Sequence, residues 1–169
     1  THTDAPTPAA LEDEIVTALA ELRAQLPSKQ IDGWAPPGVT GTRYMGYNGG
    51  GVPELMDTQA GHLILSHHAW ASGYQVGSKH RVLDGMVRNG LAHTTIDAYT
   101  LAQVQTAVNG AVTAEAGLCF MLHPSLLNTS GYMTTSTFTS ILTWLRTLEQ
   151  AGDVQIVTLG QLNYARKVV

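Results

Sequence analysis

The chain of 169 residues has little charge and almost no cysteine. Charged residues make up 13% and the formal net charge is −4. With no cluster of basic side chains, this composition argues against binding to the phosphate backbone of a nucleic acid, and we expect no nucleic-acid partner. The single cysteine, Cys119, cannot form a disulfide within the chain, and it says nothing firm about redox compartment. No apolar run approaches the roughly 20 residues of a membrane span.

The remaining composition is that of a globular protein. Hydrophobic residues make up 44% of the chain, enough for a substantial core at this length. We therefore expect a single domain over residues 1–169. The low charge suits a secreted or particle-associated protein.

Apolar residues at helical spacing predict three long amphipathic helices. The first begins at Thr7-Pro8 and ends at Pro27. The second begins with a capping box at Thr100–Gln103 and ends at Gly117. The third begins near Thr134 and ends at Gly152. Two shorter helices are predicted over 53–60, ended by Gly61, and over 159–167.

Short apolar runs between these helices predict buried strands. The runs lie at 31–35, 63–66, 91–96, 118–122 and 154–158. The segment 69–90 lacks such a pattern and is expected to be a long loop. Because strands and helices alternate, we expect parallel crossovers and an α/β fold. The working residues of such a fold lie at the C-terminal ends of its strands.

Two predicted strands end in histidine. The run 118–122 ends abruptly at His123, and Pro124 stops the strand because it has no N–H to pair. A histidine at the end of a strand either only forms a hydrogen bond to a loop or acts as a catalytic group. His67-His68 follow the run 63–66, and neighbours on a strand point to opposite faces. At most one of that pair faces a site, and His67 is the weaker candidate beside His123.

The loop after the run 31–35 carries rigid and aromatic residues. Pro36-Pro37-Gly38 closes that run. Tyr44 follows on a glycine-rich stretch, where it either stacks on a sugar ring or covers the edge of the core. The glycines do not fit a phosphate loop, because no Lys-Ser or Lys-Thr follows them.

The order of these motifs resembles the polysaccharide deacetylases, carbohydrate esterase family four. The resemblance covers essentially the whole chain, but only the later part of the family domain. It implies a distorted (β/α) barrel whose first strands are missing. The segments that carry it are Thr1–Asp4, Glu14-Ile15, Trp34–Gly38, Leu122-His123 and Val157–Leu159.

The resemblance also implies roles for single residues. His2 corresponds to the second histidine of the metal-binding motif, and His123 to the general acid. The metal would be a divalent ion, expected to be zinc, with a ligand set that is incomplete in this chain. The candidate substrate contacts are Pro36, Pro37, Gly38, Tyr44 and Leu122.

The chain departs from the family pattern at several points. The Asp-Asp strand and the first metal histidine are absent, Ala35 stands where many members have arginine, and the usual Asp-Trp pair is not found. Asp84 and Asp97 are candidates for an acidic partner of His123. The 169 residues alone are therefore not expected to catalyse deacetylation, because catalytic zinc normally has three protein ligands.

Two functions follow as hypotheses. The first is a metal-dependent deacetylase of a cell-wall or capsular polysaccharide, completed by upstream sequence or a second chain and located outside the cell, on its surface or on a virion. The second is a non-catalytic glycan-binding or structural module, for example of a phage tail. The departures favour the module, whereas Leu122-His123-Pro124 and Pro36-Pro37-Gly38 favour the enzyme. A soluble α/β domain of unrelated function is a third possibility.

Overall fold

A computed structural model describes residues 7–35, 57–73, 79–86 and 90–167 of the chain. The helices are α1 (Pro8–Glu12), α2 (Ala18–Gln25), α3 (Gln59–His67), α4 (Leu101–Thr113), α5 (Thr135–Ala151) and α6 (Leu159–Tyr164). The strands are β1 (Gly33–Trp34), β2 (Trp70–Gly73), β3 (His80–Val82), β4 (Gly90–Ala92), β5 (Thr94–Thr95), β6 (Ala116–Leu118) and β7 (Phe120–Met121).

The chain divides into two compact units, residues 1–78 with 87–92 and residues 79–86 with 93–169. Both contain helices and strands, so the predicted mixed α/β class is confirmed. The described strands form three small sheets, and the deacetylase-type barrel stays a prediction. No helix in the described ranges combines the length and apolarity that a bilayer crossing requires.

The first unit is built around one long helical segment. The predicted helix begins as expected, with the Thr7 side chain accepting from the N–H of Ala10 at 3.2 Å. A π-helical turn, Asp13–Thr17, joins α1 to α2. Leu11 and Ile15 from this segment are fully buried against Ile64 of α3. Helix and sheet thus share one apolar core.

The sheet of the first unit is parallel, in the order β1-β2-β4. Gly33 pairs with Trp70, whose indole ring lies across it. A Cβ at position 33 would come within 2.2 Å of that ring, so the close packing requires glycine.

The second unit packs α4 and α5 on strands β5 to β7. Its buried core is formed by Ile96, Val104, Val108, Met133 and Ile141. The predicted capping box of α4 is present, because Thr100 and Gln103 cap each other's backbone. Helix α5 also begins and ends as predicted, and Gly152 ends it with a φ of +82°. Strands β5 and β7 pair in parallel, whereas β3 and β6 are antiparallel, unlike the expected crossovers.

A buried arginine ties α6 to strand β3. One guanidinium nitrogen of Arg81 donates to the carbonyl oxygens of Met86 and Asn163, at 2.7 Å each. Hydrogen bonds from a buried charged donor stabilise more than neutral ones. This network fixes the C-terminal helix within the second unit.

Several secondary-structure predictions were wrong. The helix predicted to end at Gly117 ends at Thr113, and Gly117 lies in β6. The run 63–66 is not a strand but part of α3, which Thr58 caps by accepting from the N–H of Gly61 at 3.0 Å. Gly61 therefore lies in the first turn of a helix rather than at its end. The run 154–158 lies outside the described strands, and the predicted loop 69–90 contains β2 and β3.

Candidate functional site

The register of β5 and β7 places an aspartate beside the candidate histidine. Thr95 lies opposite Met121 in this parallel pair. Asp97 and His123 each follow two residues later, so both side chains extend from the same end of the two strands. Each lies two positions after the last residue of its strand, in the region where an α/β sheet usually places its chemistry.

Asp97 and His123 are joined by two hydrogen bonds. Nδ1 of His123 lies 2.7 Å from Oδ2 of Asp97, and the backbone N–H of His123 donates to Oδ1 at 2.7 Å. Because the carboxylate holds the ring and the backbone of the same residue, the imidazole has little freedom to rotate. The carbonyl of Asp97 also accepts from the N–H of Met133 at 2.6 Å.

The pKa of Asp97 lies below its ordinary value. Burial alone would raise the pKa of this carboxyl, but the backbone hydrogen bond, the side-chain hydrogen bond and the charge of His123 together lower it. Asp97 is therefore ionised at neutral pH and acts as an acceptor. Nδ1 of His123 must then carry a proton, which directs Nε2 to any external chemistry.

The side chains of Asp97 and His123 differ in their exposure to solvent. The Asp97 side chain is 11% exposed, whereas that of His123 is 55% exposed. A shielded carboxylate holding an accessible imidazole is the arrangement that general acid–base catalysis uses. The pair can deliver or accept a proton at Nε2 while Asp97 stabilises the charged ring.

A second histidine, His93, comes immediately before β5, at the opposite end of this strand from Asp97. Burial lowers the pKa of His93, and the charges of Lys79 and His123 lower it further. His93 is thus favoured in its neutral form.

The other predicted site residues fall into two groups. Leu122 is half-buried against the core of the second unit, and His67 is exposed at the end of α3 in the first unit. The Asp84 side chain accepts from the N–H of Met86 at 3.0 Å, and the backbone of Asp84 forms an isolated antiparallel β-bridge with Arg166. Of the two acidic candidates, Asp97 is the one that contacts His123. The residues His2, Pro36, Pro37, Gly38 and Tyr44 lie outside the described residues.

The described residues do not by themselves fit a zinc centre. A catalytic zinc site normally takes three protein ligands. Within the four described ranges, no group of three or more His, Cys, Asp or Glu side chains could hold a metal ion. The expected ligand His2 lies outside these ranges, so the metal stays a prediction of the resemblance, and no step proposed below passes through it.

The described residues of the second unit line a cleft and a larger cavity. A cleft of about 350 Å³ begins one residue after Asp97, between residues 98–101 and 132–140. A larger and mostly apolar cavity of about 590 Å³ lies between α4, β6, residues 153–157 and α6. Neither His123 nor Asp97 lines the larger cavity.

Sequence reasoning did not find the tyrosines of the smaller cleft. Tyr99 and Tyr132 line it from two different loops, 33 positions apart in the chain. The only signal in the sequence was their position after predicted strand ends. Protein-family models, curated proteins and solved structures were compared with this chain, and none matches.

Proposed function

We propose that His123, oriented by Asp97, is the general acid in the removal of acetyl groups from a polysaccharide. The observation that supports this proposal most is that the Asp97 carboxylate lies 2.7 Å from Nδ1 of the exposed His123 ring and accepts a second bond, also 2.7 Å long, from the backbone N–H of the same residue. The resemblance of Leu122-His123 to the last deacetylase motif supplies the reaction class. We place the protein outside the cell, on the cell surface or on a virion.

The chemistry begins with a protonated His123. Its Nδ1–H remains bonded to Asp97, and Nε2–H points to the leaving oxygen or nitrogen of the acetylated sugar. As the bond between that atom and the acetyl carbon breaks, the leaving atom takes the Nε2 proton. The attacking water provides the new oxygen on the acetyl carbon, so acetate and a free sugar hydroxyl or amine are released.

Asp97 contributes by holding and stabilising the charged ring. An imidazolium beside an ionised carboxylate forms more readily than an isolated one, and the fixed ring meets the leaving group without reorientation. A carboxylate base, supplied by upstream sequence or a second chain, would take the proton of the attacking water and so complete the site.

The test is acetate release by the full native protein from acetylated xylan and from chitin oligosaccharides. We expect His123→Ala to reduce release by about 100-fold or more, because general acid catalysis contributes roughly 10²–10⁴. His62→Gln is the matched control, since His62 is an exposed histidine of α3. It should leave release unchanged.

The outcomes separate the two hypotheses. Loss of release in His123→Ala with retained glycan binding supports the acid. Glycan binding by a native protein that releases no acetate favours the non-catalytic module. Acetate release that is unchanged in His123→Ala contradicts the proposal.

A further inference from the structure

The smaller cleft of the second unit has an unusual lining. Its walls are the start of α4 and the segment leading into α5. The ten residues that line it include two tyrosines and five hydroxyl-bearing Ser or Thr, and none is charged. The volume, about 350 Å³, lies within the usual range for small-ligand pockets.

Backbone hydrogen bonds fix both walls. The N–H of Met133 donates to the carbonyl of Asp97 at 2.6 Å, which ties one wall to the other. Tyr99 donates its N–H to Ile96 and Tyr132 donates its N–H to Thr129, at 2.9 and 3.0 Å. The cleft is therefore preformed, which lowers the entropy lost when a ligand binds.

Some hydroxyl groups of the cleft cap helices, and others have no partner among the described residues. The Thr100 and Thr134 hydroxyls are engaged in capping α4 and α5. Among the described residues, the hydroxyls of Tyr99, Tyr132 and Ser136 have no hydrogen-bond partner. Tyr132 is also 42% exposed, so both its ring and its hydroxyl are accessible.

This chemistry selects one class of ligand. The lining offers no charged side chain to pair with a phosphate or an ionised peptide. A neutral sugar presents C–H faces that pack on aromatic rings and hydroxyls that pair with phenol and serine groups. The same Asp97 that binds His123 through its side chain holds the cleft through its carbonyl.

We infer that the cleft between Tyr99 and Tyr132 is a binding subsite for a neutral sugar unit of a glycan chain whose acetylated unit lies at His123. The inference rests on the proposed function for the identity of the chain as a glycan. The subsite holds the polysaccharide beside the acid and does not take part in the chemistry.

The experiment measures the Kd of the native protein for acetylated xylohexaose and for N-acetylated chitohexaose by calorimetry. We expect Tyr132→Ala to weaken binding of at least one of the two by about tenfold, because it removes an aromatic contact. Tyr132→Phe keeps the ring and should weaken binding by about threefold or less. Tyr164→Ala is the matched control, since Tyr164 is 47% exposed on α6 and should not change the Kd.

Circular dichroism of each variant shows that the fold is retained; if Tyr132→Ala fails to fold, Tyr132→Leu, which keeps an apolar side chain but removes the ring, replaces it and should weaken binding by about the same tenfold. Binding of neither oligosaccharide by the native protein, or equal Kd values for the native protein and Tyr132→Ala, overturns the subsite. Acetate release that depends on His123 can coexist with that result, so the proposed function would survive. Tyr132-dependent binding without acetate release would support the subsite and contradict the proposed function.

Discussion

Replacing Asp97 by asparagine isolates the role of the carboxylate, because the side chain keeps its shape and loses its charge. In the native protein one carboxylate oxygen accepts from the backbone N–H of His123 and the other faces Nδ1, both at 2.7 Å. Asparagine has one acceptor oxygen. If that oxygen keeps the backbone bond, the NH₂ group faces Nδ1 and favours the ring tautomer with its proton on Nε2.

The expected changes in stability and in kcat can be estimated from the two hydrogen bonds between Asp97 and His123. A hydrogen bond to a charged group contributes about 1.5–3 kcal/mol, so the loss of one should lower the free energy of unfolding by roughly that amount. The loss of catalytic rate should be larger than the loss of stability, because the imidazolium loses its counter-charge and its fixed orientation. We expect kcat for acetate release to fall by roughly 10²–10⁴.

Two measurements check this expectation. Nitrogen-15 NMR of the imidazole should place the proton of neutral His123 on Nδ1 in the native protein and on Nε2 in Asp97→Asn. Acetate release should fall in parallel, while Asp84→Asn, which changes an aspartate that accepts from the N–H of Met86 and does not contact His123, should leave kcat unchanged. An unchanged tautomer together with a kcat within about threefold of the native value would refute the reasoning.

Two further predictions concern stability. Gly117→Ala should lower the free energy of unfolding by about 1–3 kcal/mol, because its Cβ would come within 2.3 Å of Leu162; urea unfolding measures this, and an unchanged midpoint would count against the packing. Gly110→Ala is its control and should stabilise by about 0.5–1 kcal/mol, since Gly110 lies inside α4 and the new Cβ meets its nearest neighbour, the His80 ring, at 3.8 Å. Burial lowers the pKa of both His68 and His93 from 6.5, so the unfolded chain binds more protons and stability should fall as pH falls below about 6.5. Thermal unfolding from pH 8 to 5 should show a smaller decline in His68→Gln, and an identical decline in that variant would contradict the assignment.

Local signals in the sequence predicted the helices well. The capping box at Thr100 and the glycine stop at Gly152 each act within a few residues, and both are present. The run 63–66 was mistaken for a strand because a short run with three apolar residues fits a strand and a buried helix equally well. The missed signal was Thr58, whose side chain caps Gly61 and starts α3.

The pairing of residues in the candidate site could not be predicted from the sequence alone. His123 was predicted from its place after an apolar run and before Pro124. Its pairing with Asp97 depends on the register of two strands 26 residues apart, which no local pattern specifies. Asp97 could therefore be proposed as one of two partners, and the geometry was needed to separate it from Asp84.

The same limit applies to the tyrosine cleft. Tyr99 and Tyr132 lie in unrelated segments that meet because Met133 bonds to the carbonyl of Asp97. Aromatic residues in loops more often cover a core, as the sequence suggested for Tyr44. Only the shared cleft gives Tyr99 and Tyr132 a common role.

The most direct test of the central claim compares two leaving groups in one variant. Acid catalysis by His123 should be essential for a sugar alkoxide or amine, which needs a proton to depart, and dispensable for nitrophenolate, which does not. We expect His123→Ala to lose about 100-fold or more in acetate release from acetylated glycan while hydrolysing 4-nitrophenyl acetate at nearly the native rate. Equal losses on both substrates, or no loss on the glycan, would contradict the assignment of His123 as the acid.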